Sequence, residues 1–74
     1  MKIHSVTANN RRKAFEVTVA KRPLLFPFAR LEVQPASDDP IAKVFVDQEL
    51  GREGFTYILQ SGREGTVHVD DVLE

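Results

Sequence analysis

Apolar and polar residues alternate along several short stretches of the chain. The alternation is clearest over residues 15–19, where Phe15, Val17 and Val19 are separated by polar residues. A period of two is typical of β-strands that bury one face, and β-branched and aromatic residues favour that conformation. Four further stretches carry a similar pattern, at residues 3–7, 24–28, 55–60 and 66–69. The pattern predicts a domain built mainly from short strands.

Residues that favour turns separate these stretches and indicate antiparallel hairpins. The polar segment 8–13 contains two asparagines, and the basic segment 21–23 ends in a proline, which fixes φ. The segment 61–65 contains two glycines and suits a hairpin with a bulge. Pro27 has no N–H to donate, so its strand is expected to lie at a sheet edge or to end early.

The middle of the chain leaves two alternatives open. Residues 35–40 are rich in loop-forming types, and Asp39 followed by Pro40 would also suit the start of a helix. Residues 41–46, however, are rich in β-branched and aromatic side chains, which pack better on a sheet. We therefore expect either a strand or a single helical turn over residues 40–47, and no long helix.

Together these elements predict a mainly β fold, α+β at most. We expect a small antiparallel sheet of five or six short strands built from hairpins, with at most one short helix or helical turn. Asp70 and Asp71 suit the start of such a helix near the end of the chain, because carboxylates favour the positive end of a helix. The 74 residues are expected to form a single domain over 1–74, either a whole protein or the N-terminal part of a longer one.

The composition also bounds the setting of the domain. With no cysteine, it has neither disulfides nor a thiolate zinc site, so its small core must be stabilised by packing. The start of the chain lacks the apolar segment of a secretory signal peptide. The longest apolar run, 24–29, is far shorter than the roughly 20 residues of a membrane span. These features predict a soluble cytoplasmic protein that does not bind membranes.

Charge is unevenly distributed along the chain. Residues 1–30 hold seven Lys or Arg and one acid, whereas residues 31–74 hold three basic residues and ten acids. One interpretation is that the two halves of the fold attract each other. The other is that the basic half meets an acidic partner or a nucleic acid.

A nucleic-acid interface is the sharper of these two interpretations. The basic residues that would carry it lie in two clusters at opposite ends of the second predicted strand: Arg11, Arg12, Lys13, Lys21 and Arg22. Basic clusters with interleaved aromatics, here Phe15, Phe26 and Phe28, can form a groove on which bases stack. Against this, a chain with six aromatic residues needs them for its core, and the pI of about 6.1 is low for a nucleic-acid-binding domain.

No arrangement typical of an enzyme or a cofactor site is present in the sequence. His68 and Asp70 would share a face of a strand, but two ligands do not make a metal site. The adjacent acids at 38–39 and 70–71 are of the kind that caps turns and helices. We therefore predict that the protein is not an enzyme and has no catalytic, cofactor-binding or metal-binding residues and no small-molecule ligand.

The motif Gly-Arg-Glu-Gly occurs twice, at 51–54 and 62–65, and each copy precedes a predicted strand. Glycines in that position supply the positive φ that turns require, so the recurrence is attributed to turn chemistry. In KH domains a Gly-x-x-Gly loop that joins two helices clamps the nucleic-acid backbone, and the sequence here shows no amphipathic helix to carry such a loop.

The succession of strands, with residues 55–62 running into 67–73, resembles an uncharacterised family of small β-rich domains in bacteria. The ending 66–74 is similar to that of domains found N-terminal to an XRE-like helix-turn-helix. This resemblance implies no known activity and no catalytic residues. It implies a domain that senses, dimerises or binds a protein while another domain meets DNA.

We therefore expect a non-enzymatic accessory or interaction domain of a bacterial cytoplasmic protein, with the N-terminal domain of a transcriptional regulator as one setting. Its expected partners are another protein or a second copy of the chain. The alternative is a nucleic-acid-binding β module that uses the basic N-terminal half.

Overall fold

The protein folds into two three-stranded antiparallel sheets in the computed structural model, which describes residues 2–73. Sheet I contains β1 (Ile3–Asn9), β2 (Ala14–Val19) and β3 (Arg22–Pro27), and sheet II contains β4 (Ile41–Val46), β5 (Gly54–Leu59) and β6 (Glu64–His68). Short 3-10 turns lie at Phe28–Arg30 and Gln48–Leu50, and a helix, α1, spans Val69–Leu73. The prediction of a mainly β fold with five or six short antiparallel strands and at most one short helix is confirmed, but the six strands form two sheets and not the single sheet expected.

A two-residue turn, Ala20-Lys21, joins β2 to β3. Both residues have positive φ, 51° and 66°, and Val19 faces Arg22 across the turn. Positive φ at both central residues defines a type I′ turn, whose twist matches that of the flanking strands. The turn therefore lies earlier than the expected 21–23, because Arg22 already belongs to β3.

Two prolines protect the free edge of β3. In an antiparallel hairpin the residues next to a two-residue turn bond each other, and alternate residues then direct their backbone groups to opposite sides. Arg22 bonds to β2, so Pro23 and Pro27 direct their backbone groups outward, and between them only Leu25 offers an outward N–H. The expectation that Pro27 ends its strand at a sheet edge is confirmed.

Of the two alternatives for residues 40–47, a strand or a helical turn, the structure shows a strand. Ile41–Val46 forms β4, and no helix begins at Asp39, which instead pairs with Ala36 through two backbone hydrogen bonds of 3.0 and 3.1 Å. The helical turn occurs just afterwards, at Gln48–Leu50, where the Asp47 side chain accepts a hydrogen bond from the backbone of Glu49 at 3.0 Å.

The two sheets pack face to face around Phe15. Its ring meets those of Phe28 and Phe55 edge-on, with centroids 5.0 and 4.9 Å away, and that of Tyr57 at 5.5 Å. These geometries are the favoured ones for aromatic pairs, and each adds to the area that the rings bury. Because Phe15 and Phe28 come from sheet I and the turn after it, and the others from sheet II, the aromatic cluster joins the two halves of the chain.

Arg52 joins the sheets along a second line, where β1 lies beside β4. The backbone N–H of Ile3 donates to the carbonyl of Arg52 at 2.7 Å. The Arg52 guanidinium donates in return to the carbonyls of Ile3 and His4, at 3.2 and 2.8 Å. Arg52 thus completes the start of the β1 edge much as a residue of a neighbouring strand would.

Two residues hold the segment between the sheets in place, one in β5 and one in the turn that follows it. The Tyr57 hydroxyl donates to the carbonyl of Val33 at 2.8 Å and accepts from the N–H of the same residue at 3.3 Å. The Asp39 carboxylate accepts hydrogen bonds from the backbone and the hydroxyl of Ser61, at 2.8 and 2.7 Å. These contacts fix residues 33–39 against the domain.

Candidate binding surfaces

The five basic residues proposed from the sequence lie at opposite ends of β2, as expected, and all are exposed. Arg11 and Arg12 are in the β1–β2 turn, where the side chain of Asn9 accepts both of their backbone N–H groups at 3.1 Å. Lys13 closes that turn with a φ of 53°. Lys21 occupies the β2–β3 turn, and Arg22 begins β3.

These basic residues do not share one surface. Lys13 faces an apolar groove at one end of the fold, and Arg12 borders the outer face of sheet I. Lys21 lies at the other end, beside Lys2 and His4. A strand of this length spans about 20 Å, which is more than the screening length at physiological salt, so the two ends act as separate patches.

The aromatic residues beside the basic clusters are core residues. Phe15 has no exposed area, and Phe26 and Phe28 are 3% and 8% exposed. The outer side of Phe26 is covered by the Arg30 guanidinium, which lies 4.9 Å from the ring centroid. No base can therefore stack on these three rings, and the hypothesis of a stacking groove is wrong in that respect.

The polar pairs considered for chemistry are at the surface. His68 ends β6 and lies 3.6 Å from the Asp70 carboxylate, with both side chains well exposed, so neither is desolvated as a catalytic group would be.

The hydrogen bonds from Ser61 lower the pKa of Asp39 below its ordinary value, which keeps that carboxylate ionised as a tether. Within residues 2–73 no group of three His, Cys, Asp or Glu residues could hold a metal ion.

Two further residues contribute in ways that sequence patterns did not indicate. Arg52 has a φ of 64° and bridges the two sheets, whereas in the sequence it is simply one of ten basic residues. Asp47 accepts from the hydroxyl of Thr56 at 3.2 Å, which helps to satisfy a polar side chain that is only 8% exposed. Both depend on contacts between distant parts of the chain or on backbone angles, so no local pattern reveals them.

One largely apolar concave surface is a groove of about 450 Å³, which we call the proline-lined groove. It lies where the β1–β2 turn, the end of β3 and the loop before β4 meet. Its lining residues are Asn10, Lys13, Pro27, Phe28, Ala29, Gln34, Pro35, Ala36, Ser37 and Pro40. Concave apolar surfaces of this size with a few polar groups are the usual form of a binding site.

The proline-lined groove has a positive rim and a rigid base. Lys13 is its one charged lining residue, and none of the lining residues is acidic. The carbonyl of Lys13 accepts from the backbone of Phe28 at 2.8 Å, and Gln34 donates to the carbonyl of Ala29 at 2.9 Å. These bonds hold the opposite walls in place, so a ligand would meet a largely preformed surface.

A second, shallower concavity lies on the outer face of sheet I. Hydroxyls of Ser5, Thr7 and Thr18 line it together with Arg12 and Glu16. Because the carboxylate offsets the guanidinium, this face does not offer the uniformly positive surface that a nucleic-acid backbone requires.

Comparison of the chain with protein-family models, with curated proteins and with solved structures finds no match. No helix within residues 2–73 is long and apolar enough to cross a membrane. The functional assignment therefore depends on the surfaces described above.

Proposed function

We propose that the chain is a non-enzymatic interaction domain that binds a segment of another protein in the proline-lined groove. The observation that carries the proposal is the groove itself, because it combines an apolar lining with one cation and no acid. Small β domains with preformed apolar grooves suit extended peptides, whose side chains enter the groove while their backbones stay partly hydrated.

The expected ligand is an extended segment that carries both apolar and acidic residues. Pro27, Phe28, Pro35 and Pro40 give the groove rigid walls that lose little conformational entropy when a ligand binds. Lys13 lies on its rim, and with Arg11 and Arg12 in the same turn it outnumbers the two carboxylates of the facing loop, Asp38 and Asp39. An acidic side chain next to an apolar anchor would therefore be attracted to this end of the domain.

The alternative is nucleic-acid binding through Arg11, Arg12, Lys13, Lys21 and Arg22. Its support is the exposure of all five side chains. Phosphate contacts would have to supply its affinity, because Phe15, Phe26 and Phe28 are buried. We place it second for that reason and because the two basic patches lie on separate surfaces.

The wider setting of this proposal is a bacterial cytoplasmic protein, in which the domain is an accessory module and a separate helix-turn-helix domain of a transcriptional regulator meets DNA. The resemblance noted from residues 55–62 and 66–74 supports that setting. The reading frame of the gene tests it. A helix-turn-helix pattern downstream of the domain is expected, and a frame that encodes no second domain would contradict this setting without affecting the groove.

Two lysines at opposite ends of β2 provide a matched test of the proposed ligand. Lys13 and Lys21 both have left-handed backbone conformations, with φ of 53° and 66°, so glutamate at either position experiences similar backbone strain. The probe is a short fluorescent peptide that alternates leucine and aspartate, and a fluorescent single-stranded DNA serves as the second arm. Fluorescence anisotropy gives the Kd of each probe for each variant.

The two proposals predict different outcomes. If the groove binds acidic apolar segments, Lys13→Glu weakens the peptide about fivefold or more, whereas Lys21→Glu changes its Kd by less than about twofold. If the nucleic-acid alternative holds, DNA binds better than the peptide at low salt and both substitutions weaken it. A peptide affinity that is equally insensitive to both substitutions would contradict the role of the groove.

A further inference from the structure

Of the four outer strands in the two sheets, β6 has the edge that is left open. The edges of β1 and β4 lie beside each other, and Arg52 occupies the start of β1. The edge of β3 carries two outward prolines. An edge of β6 that offers N–H and C=O groups is a template for pairing with another strand.

The backbone hydrogen bonds define which groups of β6 face outward. The N–H of Leu59 donates to the carbonyl of Arg63 at 2.8 Å, and the N–H of Val69 donates to that of Glu53 at 2.7 Å. Residues at intervals of two bond on the same side, so positions 63, 65, 67 and 69 face β5. Glu64, Thr66 and His68 therefore direct their backbone groups away from the sheet. Within residues 2–73, Glu64 and Thr66 also make no backbone hydrogen bond outside the strand ladders.

The start of α1 does not cover this edge. Val69 and Val72 are buried, and the helix contacts β3 of the other sheet. The chain turns inward after His68, so the part of β6 offered for pairing is centred on Glu64 and Thr66, which are both exposed.

We propose that a second copy of this chain pairs with β6 in antiparallel fashion, which joins the two copies of sheet II into one six-stranded sheet. A two-fold axis through Thr66 would place Thr66 opposite itself, with both N–H and both C=O groups bonded across the axis. The same register places Glu64 opposite His68 of the second copy, on the outer face of the sheet. A carboxylate and an imidazole can hydrogen-bond there, and no like charges face each other.

Charge complementarity extends beyond the strand in this arrangement. Antiparallel pairing brings the turn that contains Arg63 towards the start of α1 in the second copy, where Asp70 and Asp71 lie. A parallel pairing would instead set Glu64 beside Glu64 and the acids of α1 beside each other. The sequence of β6 therefore favours the antiparallel, two-fold arrangement over its alternative.

Thr66 gives a variant that removes the intermolecular bond and spares the fold. Its N–H makes no bond to β5, so Thr66→Pro deletes an outward donor from each copy without removing a rung of the ladder within the chain. Thr66→Val is the matched control, since it also loses the hydroxyl that lies 3.2 Å from that of Thr56 but keeps the N–H. Urea denaturation of both variants establishes that they are folded.

Sedimentation equilibrium of the full chain measures the self-association. We expect a concentration-dependent monomer–dimer equilibrium. Thr66→Pro should raise the dimer Kd about tenfold or more, because two hydrogen bonds are lost, while Thr66→Val leaves it within about threefold. A chain that stays monomeric up to about 1 mM would overturn the proposal. So would a dimer that Thr66→Pro leaves unchanged.

A charge swap tests the register. His68→Glu places glutamate opposite Glu64 twice in each dimer and should weaken it about fivefold or more. Adding Glu64→Lys restores opposite charges and should return the Kd to within about threefold of the original value. If the double variant is as weak as His68→Glu alone, the Glu64–His68 register is wrong. Because Lys13 and the proline-lined groove lie elsewhere, neither result depends on peptide binding.

Discussion

The ring of Tyr57 lies over Gly65 on the neighbouring strand, so closely that a Cβ atom at position 65 would be 2.6 Å from Tyr57 Cζ. The ring cannot easily move away, because its hydroxyl bonds both backbone groups of Val33 and the side chain is 1% exposed. Gly65 is therefore required for the contact between sheet II and the segment that joins the sheets, and this requirement is steric, since its φ is not positive.

Substitution of Gly65 by alanine should destabilise the domain. We expect Gly65→Ala to lower the free energy of unfolding by about 1–3 kcal/mol, because the added methyl group overpacks a fixed ring. Urea denaturation measures the change. In a Tyr57→Leu background the ring is absent, so the same substitution should cost clearly less. Equal costs in the two backgrounds would show that the clash with Tyr57 is not the cause.

Tyr57 should also make the free energy of unfolding depend on pH in the alkaline range. Burial raises the pKa of its hydroxyl above the ordinary value of 10.0, although the bond to Val33 offsets part of that effect. The unfolded chain then loses its proton first, so this contribution is complete below pH 10.0 and is lost as the pH rises through the folded-state pKa. Tyr57→Phe should lose about 1–2 kcal/mol at neutral pH and show a flatter decline above pH 10.0.

The chain has one tyrosine, so its phenolate absorbance reports this group alone. The absorbance of the folded protein should titrate at a higher pH than that of the urea-unfolded chain. A folded-state titration at or below the unfolded one would contradict the assigned burial and its consequence for stability.

Asp39 should make the free energy of unfolding fall as the pH is lowered in the acid range. Hydrogen bonds from the Ser61 side chain and backbone lower the pKa of its carboxyl below 3.8. The stabilising contribution is therefore present above pH 3.8 and is lost as the pH falls through the lower, folded-state pKa. Asp39→Asn should reduce the loss of stability in that range, as followed by thermal unfolding at several pH values. Asp38→Asn, at an exposed neighbour, serves as the control and should leave the profile nearly unchanged.

Arg52 should matter more for stability than other partly exposed cations. Arg52→Ala removes the guanidinium bonds to Ile3 and His4, so we expect a loss of about 1–2 kcal/mol in urea denaturation. Lys43→Ala, at an exposed position of β4, should stay within about 0.5 kcal/mol. Because Arg52 has a φ of 64°, Arg52→Gly should be no more damaging than Arg52→Ala. A larger loss for glycine would contradict this account of the backbone.

The strands that the sequence predicted best are those whose pattern is local. Alternation at 15–19 and 55–60 marks β2 and β5, the central strands of the two sheets, because one face of each must meet the core. Pro27 likewise identified an edge. The sequence does not reveal that this hairpin turn lies at Ala20-Lys21, because neither residue type signals the positive φ that the twist of the paired strands imposes.

The candidate site was harder to predict because it is assembled from distant segments. Five basic residues were identified from composition, but their division between separate surfaces follows from the hairpins that carry them. The proline-lined groove exists only because residues 34–40 return to Lys13 and the end of β3. That return depends on Tyr57 holding Val33, a contact 24 residues apart in the chain that no local pattern encodes.

An amide NMR titration of the isotopically labelled chain with the leucine–aspartate peptide tests the proposed function most directly, because it shows where the ligand binds. We expect chemical-shift changes to concentrate on the groove residues Asn10, Lys13, Phe28, Ala29, Gln34 and Ala36, and Lys13→Glu to reduce them. Changes centred on sheet II, or spread over both ends of β2 and insensitive to Lys13→Glu, would contradict it.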